Sequence, residues 1–254
     1  MTRSSPAVLG GIGLVAGIAS GLFGIGGGLV IVPALVMFTR LRQHEAHASS
    51  LGAVIPIASV ASIPFIASGL VDWPFAVAMS LTAMIGARAG AKVMARMSEA
   101  QLRIAFIALM LVVTVRLVVG TGTGEGGPQP LDSLVVLIPA LAIGFLAGIA
   151  SALFGIGGGL VMVPLMAIIG IPQHVAQGTG LVAIVPTAIV GAQAHRKRGY
   201  LDVGLVIPLA VGGLVGGFAA SLVALELDPV LLQRGLAVLL ILAIVQLARR
   251  RPPE

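Results

Sequence analysis

Cysteine is absent from this 254-residue chain, which excludes a disulfide framework, thiolate chemistry and any cysteine-built metal centre. Acidic side chains number nine and charged residues of both signs only 9%, against 58% hydrophobic residues and a mean hydropathy of +1.12. That is too little charge to coat a soluble globule of this length, so the chain reads as lipid-embedded. Aromatics make up 4%, with Trp73 and Tyr200 the sole representatives of their types. The formal charge of +6 therefore comes without stacking side chains, and its short clusters between apolar runs read as cytoplasmic loops rather than a nucleic-acid surface. Neither a phosphate-binding GxxxxGKS/T loop nor HExxH or GxSxG occurs, which argues against an ATPase and against an intramembrane enzyme. No convergent set of histidines and carboxylates suggests a metal, and nothing calls for a cofactor.

What is present is a duplication. The stretch from Ala16 to Pro33 returns 131 residues later, from Ala147 to Pro164, with differences only at 21/152 and 31/162. Each copy places a GIGGG run inside a long apolar segment, and matched glycine interruptions in two halves point to a transport site. Apolar segments cover 6–38, 48–70, 74–91 and 104–120, then 133–170, 176–194, 203–223 and 231–248. A continuous helix over 6–38 would run roughly 50 Å at 1.5 Å per residue, well beyond a ~30 Å hydrocarbon core. Each long segment is therefore expected to be two short helices joined at the glycines, a hairpin that enters and returns. The apolar start of the chain is too long for the core of a secretory signal and has its copy in mid-chain, so it is expected to stay in the mature fold.

The loops test that expectation through charge. Arg40 and Arg42 align with the uncharged 170–173 turn, and Asp72 with His195 to Arg198. Lys92, Arg96 and Arg103 align with Glu226 and Asp228, and Glu125 and Asp132 with Arg249 to Arg251. All four pairs reverse in sign. A returning hairpin leaves each half with three net crossings, so the second copy is inverted, and all Lys and Arg except Arg116 and Arg234 fall on one side with both termini. The fold class expected is an all-α polytopic membrane protein of two inverted repeats, 1–130 and 131–254. Each repeat is a glycine-broken helical hairpin followed by three transmembrane helices, in the cell membrane with both termini cytoplasmic.

A backbone break in lipid exposes groups that cost several kcal/mol each unless protein or a water-filled cavity satisfies them. Breaks at matching depth should then meet at the centre. Helices starting after Gly28 and Gly159 would aim N–H groups and the positive end of the dipole there, a setting for an anion. Candidate substrate ligands are Gly24, Gly26, Gly27 and Gly28 with Gly155, Gly157, Gly158 and Gly159. The alternative is that the glycines only let helices pack closely. A second break is expected after each long segment, where Ser49, Ser50 and Thr179 would be N-cap hydroxyls of the next helices, free to serve helix or ligand. Arg116 is the most isolated charge and is either a site residue or a side chain snorkelling to the interface. His44 and His174, at repeat-equivalent positions, read as caps or interfacial residues ahead of metal ligands.

The doubled GIxSGxFGxGGGxxxxP pattern, with H-x-A-x-(G/A)-(S/T)-(S/G)-L after each copy, resembles the TauE/SafE sulfite-exporter family over essentially the whole chain. Gly180 stands where the family commonly has serine and Ala48 where it has glycine. The resemblance implies movement of sulfur-containing anions such as sulfite or organosulfonates. The expected function is a secondary transporter holding its anion at the midplane between the repeats, driven by an ion gradient or the membrane potential; a small-anion channel is the alternative. The expected partners are the anion and the lipid bilayer, and a homo-oligomer is allowed.

Overall fold

The computed structural model describes residues 5–39, 41–119 and 134–248. Arg40, Glu125, Asp132 and Arg249 to Arg251, which carry part of the charge comparison, lie outside them, as does the expected boundary at 130/131. Among the described residues every regular element is a helix: α1 Pro6–Phe23, α2 Gly28–Phe38, α3 Gln43–Ala67, α4 Trp73–Met94, α5 Glu99–Val119, α6 Leu134–Phe154, α7 Gly159–Ile168, α8 Gln173–Arg196, α9 Val203–Glu226 and α10 Pro229–Ala248. Five helices follow five in the same order, and both long segments break at the glycines. Seven of the helices are long and apolar enough to cross a membrane. At 11 and 10 residues, α2 and α7 are too short, since a crossing needs about 20. The helix α4 is long enough but carries Arg88 and Lys92 near its end.

Small residues decide the packing. A Cβ on Gly13, Gly17 or Gly21 of α1 would run into the α9 backbone at Leu209, Gly213 and Gly217 in turn. These contacts advance together along both helices, so α1 and α9 run parallel with backbones touching, as stripes of small residues permit in lipid. The equivalent pair repeats the arrangement: Gly144 and Gly148 of α6 meet Met79 and Ala83 of α4. Each repeat thus inserts its first helix against the fourth helix of the other.

The α3 and α8 helices run in opposite directions. Gly191 near the end of α8 packs on Leu51 near the start of α3, and Gly178 near the start of α8 packs on Phe65 and Leu70 at the end of α3. Two ends of the molecule follow. At one, His44 Nε2 approaches the Met94 and Met97 carbonyls at 3.1 and 3.2 Å, and the Asp202 N–H donates to Ser49 Oγ at 3.2 Å. The turns there carry Arg42, Arg96 and Arg196 to Arg198. At the other end, the Asp72 N–H donates to Thr179 Oγ1 at 3.0 Å and His174 Nε2 lies 3.0 Å from the Ala224 carbonyl, beside Glu226 and Asp228. For the described residues of the charge comparison, the sign reversal read between repeats falls at two ends of one bundle. His44 and His174 cap the ends of α4 and α9, where a ring N–H satisfies a terminal carbonyl.

Candidate functional site

The α1 helix ends at Gly24, in the left-handed region at φ 70°, its N–H bonded to the Ser20 carbonyl at 2.8 Å. Gly26 and Gly27 follow at φ 80° and 81°, and Gly155, Gly157 and Gly158 repeat this at 66°, 79° and 94°. Three left-handed residues within four positions are a conformation only glycine adopts without strain. The turn returns the chain onto its own helix: a Cβ on Gly27 would lie 2.8 Å from the Ala16 carbonyl oxygen, and one on Gly158 would lie 3.0 Å from that of Ala147. Both long segments are therefore hairpins.

The two breaks meet. A Cβ on Gly28 would strike the Gly155 carbonyl and lie 2.5 Å from Ile156 Cα, while one on Gly159 would lie 2.5 Å from the Gly24 oxygen and 2.7 Å from Ile25 Cα. Residues 24–28 and 155–159 are all buried. Neither α2 nor α7 has a side-chain cap at its start, so the N-terminal groups of both helices lie at the crossing without a hydroxyl or carboxylate of their own. Val54 and Ile184, equivalent in the two repeats, border both breaks: a Cβ on Gly157 would lie 2.7 and 3.0 Å from their side chains, and one on Gly26 3.2 and 3.4 Å. The crossing is closed by these two side chains. The glycines serve packing within the helices and chain reversal at the breaks.

The second break falls earlier than expected. The α3 and α8 helices begin at Gln43 and Gln173, so Ser49, Ser50 and Thr179 lie in their second turns and are not N-caps. Arg42 and Glu45 close a capping box at the start of α3, with a 2.7 Å ion pair, which lets the helix begin before its apolar run; Pro172, with its fixed φ, precedes α8. The three hydroxyls bind the other repeat instead. Ser50 Oγ donates to the Gly155 carbonyl at 2.9 Å, whereas Ser49 and Thr179 accept from Asp202 and Asp72 as described. Gly180, equivalent to Ser50, has no hydroxyl to offer the Gly24 carbonyl. Arg116 is not brought to the breaks: it is exposed at the end of α5, beside a cleft of about 20 Å³ shared with Pro164, Gln173 and Gln233, room for roughly one water.

Four side chains flanking the breaks were not singled out by the sequence reading: Ser20, Ser151, His47 and Gln177, each fully buried. One signal existed, since Ser20 and Ser151 are the only hydroxyls in the two copies of the duplicated stretch. Gln177 Nε2 donates to the Leu22 carbonyl at 2.8 Å. His47 Nε2 pairs with Gln43 Oε1 at 3.0 Å, its ring edge-on to Phe106 and Phe154. Among the described residues no group of three or more metal-ligating side chains gathers.

Broken helices crossing at the centre of a multi-pass apolar bundle define the class: a membrane transporter. Comparison with known proteins gives the same class and a family. The family described as sulfite exporter TauE/SafE matches residues 1–117 and 140–254, and the chain belongs to it. A relative from Xylella fastidiosa (strain 9a5c), a "Probable membrane transporter protein", is 30% identical over 88% of this chain and 87% of its own. "Probable membrane transporter protein YunE" from Bacillus subtilis (strain 168) is 26% identical over 81% of this chain and 84% of its own. No solved structure matches.

Proposed function

We propose that the protein is a secondary transporter, an exporter, of small sulfur-containing anions such as sulfite or organosulfonates, with the anion held where the two breaks cross. The observation that carries this reading is the mutual packing of residues 24–28 and 155–159 with the uncapped starts of α2 and α7 beside them. Helix N-termini freed of side-chain caps favour an anion through their N–H groups and the positive end of the dipole. Val54 and Ile184 must part for the anion to enter, so the present arrangement is the closed one. The antiparallel run of α3 and α8 and the basic end of the bundle support an inverted repeat with the basic end and both termini cytoplasmic. With no nucleotide-binding loop in the chain, the gradient of an ion or the membrane potential drives the cycle.

Two experiments test this reading. Titration of the purified protein with sulfite, thiosulfate, sulfoacetate, taurine and sulfate should show saturable binding of at least one, and binding of none sinks the substrate class. Reconstituted in vesicles, a carrier exchanges labelled anion faster when unlabelled anion is present on the opposite side; flux indifferent to the opposite side would identify a channel.

A further inference from the structure

Arg116 stands in the last turn of α5, at the end of the bundle that carries Asp72, Glu226 and Asp228. It pairs with none of these acids: among the described residues its guanidinium makes no hydrogen bond or ion pair, and Arg42 with Glu45, which do pair, are at the other end. A basic side chain in a last turn can simply complement the helix dipole. What surrounds this one gives it more to do.

Arg116 lines its narrow cleft together with Gln173, Gln233, Val163, Pro164 and Leu236. Four helices, α5, α7, α8 and α10, thus bring one guanidinium and two amides to a single space that is otherwise apolar. Gln173 is only 6% exposed. Its Oε1 accepts from Gln233 Nε2 at 3.4 Å, while its own Nε2 donates to nothing among the described residues. The guanidinium of Arg116 and the buried Gln173 amide are therefore unused donors lining one cleft. The start of α8, which has no side-chain cap, adds the positive end of its dipole beside them.

The cleft stands between the crossing and the acidic end. The α7 helix runs from Gly159 at the crossing to Ile168 near that end, with Val163 and Pro164 midway along it. A Cβ on Gly180 would lie 3.2 Å from Val163 Cγ2 and 3.9 Å from the Gly24 carbonyl oxygen, so Val163 walls the cleft off from the surroundings of the first break. The same composition recurs on the opposite side. Leu102, Phe106 and Met110 of α5 are buried as Leu232, Leu236 and Leu240 of α10 are, a register that makes Gln246, Gln43 and Arg103 the counterparts of Arg116, Gln173 and Gln233. One arginine and two glutamines thus stand toward each end of the bundle.

We propose that the cleft is a second site for the transported anion, on the acidic side of the closed crossing, with Arg116 and the Gln173 amide as its ligands. This rests on the anion-carrier reading above. Room for about one water admits a single atom, which is one oxygen of the anion, pointed at the Gln173 amide. The other oxygens stay at the exposed mouth, where the planar guanidinium meets two of them at once. A halide also fits the space but leaves that fork half used. An anion leaving the crossing past Val163 is held here while Val54 and Ile184 close behind it.

Calorimetric titration of the full-length protein in dodecyl maltoside, an uncharged detergent without phosphate, tests the proposal with sulfite, methanesulfonate and chloride as probes. Arg116→Gln, which copies the counterpart residue, should weaken oxyanion binding about tenfold to a hundredfold, the worth of a hydrogen bond to a charged group. Its Tm without ligand should stay at the wild-type value, because the guanidinium removed has no described partner to lose. Arg234→Gln removes an exposed arginine on α10 that does not line the cleft and should bind as the wild type does. Equal weakening in both variants would mean diffuse attraction and overturn the site. Probes that bind the wild type and Arg116→Gln equally well would overturn the site and leave the carrier reading intact. Binding of chloride alone, weakened in Arg116→Gln, would uphold an anion site in the cleft and overturn the sulfur-anion class. Failure of every probe to bind the wild type would overturn both. Repeated in phosphatidylglycerol discs, the titration should still separate wild type from Arg116→Gln; loss of that difference would assign the cleft to a lipid phosphate and overturn the proposal.

Discussion

Thr179 shows how a residue's role depends on what its neighbours require. A hydroxyl after a predicted break reads as a helix cap, yet its oxygen accepts the Asp72 N–H across 107 residues of sequence, in a fully buried setting. Thr179→Val keeps the shape and strands that N–H, so it should lower stability by about 1 to 3 kcal/mol, read as a fall in Tm of the detergent-solubilised protein. Ser49→Ala removes the equivalent bond to Asp202, which is longer and ends on an exposed residue; the loss there should be smaller, about 1 kcal/mol. A Tm for Thr179→Val at or above that of Ser49→Ala would refute the ranking. Thr179→Ser keeps the acceptor and should be nearly silent in the same assay.

The glycine-broken hairpin is the element on which the proposed transport rests, and its glycines divide by what a side chain would meet. Gly27 and Gly158 are left-handed and face carbonyls of their own preceding helices. Strain of about 1 to 3 kcal/mol and a blocked return should make Gly27→Val and Gly158→Val inactive in anion uptake by vesicles, with folded protein still recovered. Gly28 has an ordinary φ but faces the backbone of the other break, so Gly28→Ala should push the crossing apart and depress uptake without local strain. Gly69, left-handed with nothing within 4 Å, is the comparison: Gly69→Ala should cost stability and spare uptake. Equal uptake by all four variants would mean that the breaks serve packing alone.

At the scale of the molecule, the separation of charge makes a prediction about sidedness. Single cysteines replacing Arg96 and Lys197 should react with an impermeant maleimide from one face of oriented vesicles, and one replacing Asp228 from the other, in a background that contains no cysteine. Lys197 and Asp228 labelled from the same face would contradict the proposed inverted arrangement.

Helix number, the two hairpins and the opposed loop charges were legible in the sequence because each rests on local chemistry. An apolar run longer than a bilayer must turn back, glycine is the residue that turns, and basic loops are counted by reading them. The duplication also located the breaks to the residue. What the sequence did not contain was the partner of each side chain. That α1 lies along α9 and α4 along α6, that Ser49 and Thr179 bind turns of the opposite repeat, and that Ser20 and Ser151 are left without partners are consequences of interlocking two halves 131 residues apart. Helix starts were misplaced for a related reason: Gln43, His44 and Glu45 are polar, and only their caps and the helix ends they touch draw them into α3. Periodicity and composition describe a helix by its own residues, whereas burial and hydrogen bonding in this bundle are decided between repeats.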